Sequence, residues 1–186
     1  MKGWKWTLAR ILLPLVAFGR DRRRALNMGE ELGVVGRVLL VLPLDPVRRQ
    51  QVLTQIFRFR AAFPRWALDL MVVGGPSPFP DGEQAKGMNV VVVSPDDLDP
   101  FGLPRRALLH RLREHAYHLA IDLSLDRHPF VPWLLLRSGI GLRLGVDGAG
   151  QMGGRLHNLF IRLKNPDEVM DRLVETLAPI VETGAA

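Results

Sequence analysis

Residues 37–64, RVLLVLPLDPVRRQQVLTQIFRFRAAFP, constrain the fold more than any other stretch of this chain. They open on a short apolar run, residues 38–42, that ends in the turn Pro43-Leu44-Asp45-Pro46. Apolar side chains then recur at Val47, Val52, Ile56 and Phe59/Phe63, close to helical spacing. A buried strand followed by an amphipathic helix is the simplest arrangement that satisfies both patterns.

The remaining segments repeat that theme. Strands are expected at 68–73, 89–93, 117–123 and 142–146, and helices at 104–116, 130–137 and from Asn165-Pro166-Asp167 to about residue 182. The run 90–93 is entirely valine, as suits a parallel strand covered on both faces. Residues 156–163 read as an extended segment or a short strand, and 74–87, rich in Gly and Pro, as an exposed loop. Strands alternating with helices imply βαβ crossovers. The expected fold is therefore α/β, a Rossmann-like doubly wound parallel sheet of about five strands in the order 3-2-1-4-5. In such sheets ligands bind beyond the carboxyl ends of the strands.

A chain of 186 residues has room for one domain with a full core. It contains no cysteine, so disulfides and thiolate metal sites are excluded. The net charge of +6 sits in one place. Residues 1–25 hold seven basic side chains and one acid, whereas basic and acidic residues balance in the rest. A basic stripe on the folded body, the footprint of a nucleic-acid binder, is missing, so no nucleic-acid partner is expected.

The sequence divides at residue 36: an arm and linker over 1–36, and the α/β domain over 37–186. The arm is too short in its apolar run, residues 11–18, to span a bilayer. Arg10 and the Arg20–Arg24 region fit a signal peptide badly. On a helix, Trp4, Leu8, Ile11, Leu12 and Leu15 share one face. Lys5, Trp6, Arg20, Arg22, Arg23 and Arg24 suit a headgroup layer. This is the pattern of an amphipathic helix lying in an anionic lipid interface, kinked at Pro14. The competing expectation is an arm packed on its own domain or on a partner protein.

Several clusters carry possible chemistry. Asp45, before Pro46, caps a helix or orients an acceptor. Asp96-Asp97-Leu98-Asp99 follows a strand, where paired carboxylates could hold a divalent ion on a diphosphate, or simply solvate a turn. His115 and His118 are one helical turn apart near His110, but the helix should stop near Ala116 and break that face. Asp126, Arg127 and His128 lie at a strand's carboxyl end, able to hold a phosphate or hydroxyl or to form a plain turn. No metal or cofactor is expected from these patterns.

Taken in order, the segments resemble the amino-terminal domain of glycosyltransferase family 9, the lipopolysaccharide heptosyltransferases. The residues that carry the resemblance are Leu44-Asp45 after the first strand, Ala62-Phe63-Pro64 at the helix end, Ile121-Asp122-Leu123, Arg143-Leu144-Gly145-Val146-Asp147 and Asn158-Leu159-Phe160. The resemblance implies one half of a GT-B fold, with the sugar nucleotide bound by a second domain. The family's Gly-Asp after the first strand provides a tight turn and the proposed catalytic base. Here Val47-Arg48-Arg49 occupies that stretch, and Arg49 stands where the carboxylate would be. A guanidinium cannot accept a proton at neutral pH.

Two functions are expected from this. One is a non-catalytic scaffold subunit on the cytoplasmic face of a bacterial inner membrane, stabilising a larger membrane-bound complex or partner chain. The other is the acceptor-binding half of a glycosyltransferase acting on a lipid-linked envelope glycan, with its donor domain on a separate chain. Asp45, Arg48, Arg49, Asp126, Arg127 and His128 are the candidate ligand-binding residues in either case.

Overall fold

The computed structural model describes residues 27–74, 87–100, 102–124, 130–147, 157–163 and 165–184. Its elements are α1 (Met28–Gly33), β1 (Arg37–Val41), α2 (Pro46–Ala62), β2 (Ala67–Val73), β3 (Val90–Val93), α3 (Arg106–Glu114), β4 (Leu119–Asp122), α4 (Phe130–Ser138), β5 (Leu142–Asp147), β6 (Leu159–Arg162) and α5 (Val169–Gly184). All five strand pairings are parallel, in the order β3-β2-β1-β4-β5-β6. The order expected from the sequence is present, with β1 at the centre.

The first strand explains why the fold closes around it. A central parallel strand is covered on both faces and so needs an unbroken apolar run rather than alternation. Val38 and Leu40 point into one core layer, with Val52, Ile56 and Phe59 of α2 and Leu173 and Leu177 of α5. Leu39 and Val41 point into the other, with Leu108 and Leu112 of α3 and Leu134 of α4. Burying one such side chain fully contributes about 1.5–3 kcal/mol.

Helix α2 starts and stops for local reasons. Asp45 is its N-cap, its Oδ1 accepting from the Arg48 N–H at 2.9 Å, and Pro46 takes the first turn, where no N–H is needed. At the other end Phe63 stacks on Trp66 with centroids 4.2 Å apart and planes 8° apart, and Phe59 lies 4.9 Å from Phe63. The Ala62-Phe63-Pro64 turn is thus set by an aromatic cluster that is itself buried.

Two features depart from the sequence expectations. The sheet has six strands rather than about five, because residues 159–162 join it alongside β5. This four-residue segment is too short for its periodicity to distinguish a strand from a loop, and pairing with β5 decides it. The second departure lies within the expected linker. Residues 28–33 form α1, Leu32 and Val35 are buried, and the helix docks on α5. Glycines permit this crossing: a Cβ on Gly184 would collide with the Gly29 carbonyl, and one on Gly33 would lie 2.5 Å from the Gly184 oxygen. The expected amphipathic helix with Trp4, Lys5, Trp6, Leu8, Ile11, Leu12, Leu15, Arg20, Arg22, Arg23 and Arg24 lies outside the described residues. No described helix is long and apolar enough to cross a membrane.

Candidate functional site at the carboxyl edge of the sheet

The carboxyl edge of the sheet is where a ligand of this fold would sit, and the end of β1 is its centre. Arg49 is folded back there. Its Nε donates to the Pro43 carbonyl at 3.0 Å and its NH2 to the Leu44 carbonyl at 3.0 Å. The guanidinium satisfies two carbonyls of the strand-to-helix turn. Asp45 is occupied by the helix cap. Arg48 is exposed and borders a hollow of about 10 Å³ with Gln51, Gln55 and Asp167. The Gln55 Oε1 is buried without a hydrogen-bond partner, and a volume of that size matches a single water. Asp126, Arg127 and His128 lie outside the described residues.

The neighbouring strand carries a polar pair that the sequence patterns did not single out. Asp122 ends β4, and its Oδ1 accepts from the Ser124 N–H at 2.9 Å. Its Oδ2 lies 3.1 Å from Nε2 of His157, and both side chains are buried, 6% and 3% exposed. Val41, Asp122, Gly145 and Phe160 form a row across β1, β4, β5 and β6. His157 lies over Gly145, where a Cβ would approach its Nδ1 to 2.8 Å, and meets Phe160 edge-on at 5.6 Å. An imidazole oriented by a carboxylate is the core of a general base. Here the imidazole is packed between strands rather than presented to solvent, so the pair acts as a clamp between β4 and the start of β6. The signal available in the sequence was Gly145, since a glycine inside a strand often marks close approach by another group.

The other candidates resolve into local structure. Asp97 completes a capping box with Ser94 and pairs with Arg111 at 3.3 Å. Burial works to raise its carboxyl, but the Ser94 bonds and the Arg111 charge outweigh burial and hold it below the usual carboxylate value. Asp99 accepts from the Leu103 N–H at 2.9 Å. The histidines separate: His110 pairs with Glu114, His115 meets the Tyr117 ring, and His118 Nδ1 accepts from the Arg37 N–H at 3.1 Å. Among the described residues no three His, Asp or Glu side chains gather as a metal set.

A second polar centre lies at the opposite edge of the sheet. Asp69 of β2 is 2% exposed. Its Oδ2 accepts from Arg37 Nε at 3.2 Å and from the Tyr117 hydroxyl at 3.0 Å. Its Oδ1 accepts from the Asn89 N–H at 3.1 Å and from Nδ2 at 3.2 Å. Burial first, and the Asp69 charge second, push the Tyr117 phenol well above its ordinary value. This carboxylate ties together β1, β2, the approach to β3 and the approach to β4.

No family model matches the sequence, and no curated protein matches it. Among solved structures, the chain is similar to E. coli heptosyltransferase WaaC with ADP, at 18% identity and a TM-score of 0.58, covering 78% of this chain and 46% of that one. It is also similar to E. coli ADP-heptose lps heptosyltransferase II, at 20% identity and a TM-score of 0.53, covering 76% of this chain and 40% of that one. The chain spans less than half the length of either enzyme. At these identities the likeness shows the fold alone, a GT-B-like Rossmann-type α/β domain.

Proposed function

We propose that the chain is a non-catalytic scaffold subunit built on a heptosyltransferase-like domain and held at an anionic membrane surface by its basic arm. The observation that carries this reading is the state of the end of β1. Transfer of a sugar requires a group that takes the acceptor hydroxyl's proton. The position that matches the family's carboxylate holds Arg49, whose guanidinium is bonded to two backbone carbonyls. The adjacent carboxylate, Asp45, accepts a helix N–H. Asp122 and His157, on the neighbouring strand and beside it, are packed against each other. The membrane part of the reading rests on residues 1–25, which hold the whole net charge and Trp4 and Trp6. Its setting would be the cytoplasmic face of a bacterial inner membrane, beside a larger complex.

Calorimetry with ADP- and UDP-sugars tests the catalytic half of the reading. The full chain should give no saturable heat with either. Micromolar binding would overturn the scaffold reading and favour the acceptor-binding half of a two-chain transferase. Flotation with vesicles containing phosphatidylserine tests the other half: the protein should rise with them at low salt and in part at high salt, because apolar contact is not screened.

A further inference from the structure

We propose that the protein stands on an anionic lipid surface by the amino-terminal edge of its sheet, with the carboxyl edge turned away from the bilayer. This rests on the membrane reading of the arm and adds an orientation to it. The reason is where the arm joins the fold. In a parallel sheet all strands start at one edge and each crossover helix ends there. Helix α1 lies at that same edge, because its Gly29 and Gly33 pack on Gly184, the last residue of α5, and Val35 and Gly36 lead directly into β1. The arm's arginine cluster ends at Arg24, three residues before the described fold begins at Asn27. Three residues reach at most about 10 Å. An arm whose arginines lie among headgroups therefore holds this edge against them.

The edge itself suits that position. Val34 is 72% exposed there, the most exposed of the large apolar side chains among the described residues. Arg65, in the turn between α2 and β2, is exposed and has no ion pair among the described residues. Arg60, Arg113 and Arg137 lie in the last turns of α2, α3 and α4. Helix dipoles favour cations at those three positions, but they do not require Arg65 or Val34. Glu30, Glu114 and Glu182 are nearby and offset much of this charge, so the tether, rather than the charge of the body, sets the orientation. The α5 face has no comparable tether, and its charges already balance, Asp171 pairing with Arg58 at 3.4 Å and Glu175 with Arg172 at 3.2 Å. At the far end, Val47 lies in the first turn of α2, about 20 Å away along a helix that rises 1.5 Å per residue. A partner recognised at the carboxyl edge would then be one that projects into water, not a headgroup.

The absence of cysteine allows a direct test in the full chain. Val34→Cys and Val47→Cys give matched probe positions, 72% and 69% exposed, and Trp4→Cys reports the arm. Each is labelled with an environment-sensitive fluorophore and mixed with phosphatidylserine vesicles carrying a headgroup spin label. The proposal expects quenching at positions 4 and 34 to be severalfold greater than at 47. Equal or greater quenching at 47 overturns the orientation while leaving the arm reading intact. Quenching at 4 alone shows a tether without docking and also overturns it. Quenching at 34 without 4 refutes the arm as tether and so overturns the proposal as argued. No quenching at any position refutes both.

Discussion

Replacing Asp69 with alanine should be among the most damaging single changes in this domain, and by an amount that solvent access sets. Four donors converge on this carboxylate. They are not equal. The Arg37 side chain is 35% exposed and Asn89 is exposed, so water replaces much of what they lose. Each should cost about 0.5–1.5 kcal/mol, with the ion-pair part at the low end because of solvent screening. Tyr117 is 6% exposed, and its hydroxyl would be left buried without its acceptor, at about 1–3 kcal/mol. The total comes to about 2–5 kcal/mol, a large share of the stability of an ordinary domain. Tyr117→Phe alone leaves Asp69 three donors and should cost about 1 kcal/mol. In the double variant no hydroxyl is orphaned, so it should be less destabilised than the sum of the two by about 1–2 kcal/mol. Urea denaturation followed by far-UV circular dichroism measures all three. Additivity within about 0.5 kcal/mol, or a cost of Asp69→Ala below about 1 kcal/mol, would refute the argument. The same pair predicts an alkaline limit. An unfolded tyrosine titrates near pH 10, whereas folding raises Tyr117 above that value. A raised folded-state value means that stability is intact below about pH 10 and falls as pH rises beyond it. Tyr117→Phe should remove that part of the loss above about pH 10.

Gly184→Ala should detach α1 from α5, because its methyl would meet the Gly29 carbonyl. Losing the burial of Leu32 and Val35 would cost about 3 kcal/mol if complete, and amide exchange over 28–36 should accelerate; unchanged exchange there would show that the crossing tolerates the methyl. Gly145→Ala should push His157 off Asp122 at a cost of about 1–3 kcal/mol, read by thermal unfolding. Adding His157→Ala should relieve the clash but not restore the clamp. Wild-type stability of Gly145→Ala would mean that the ring can shift without losing its carboxylate.

The architecture was legible because it rests on local periodicity. The run 38–42, the Asp45-Pro46 helix start and the valines at 90–93 each specify a secondary structure in a window of a few residues. Alternation of strand and helix then limits the topology to a parallel sheet, since crossovers are right-handed and unknotted.

Pairings between distant residues were not legible. Asp122 and His157 are 35 positions apart, and Asp69 and Tyr117 are 48. No local pattern links them; only strand register brings Asp122 level with Gly145, and only a missing Cβ lets His157 lie there. The docking of α1 on α5 spans almost the whole domain and depends on three glycines that carry no periodic signal. Register, too, turned residues 159–162 from an ambiguous extended stretch into the sixth strand. The sequence by itself determined which segments bury their apolar faces and in what order they follow, because hydrophobic spacing is a local property. The tertiary structure alone decided which polar groups meet, because a buried charge or hydroxyl is stable only where the fold supplies its partner.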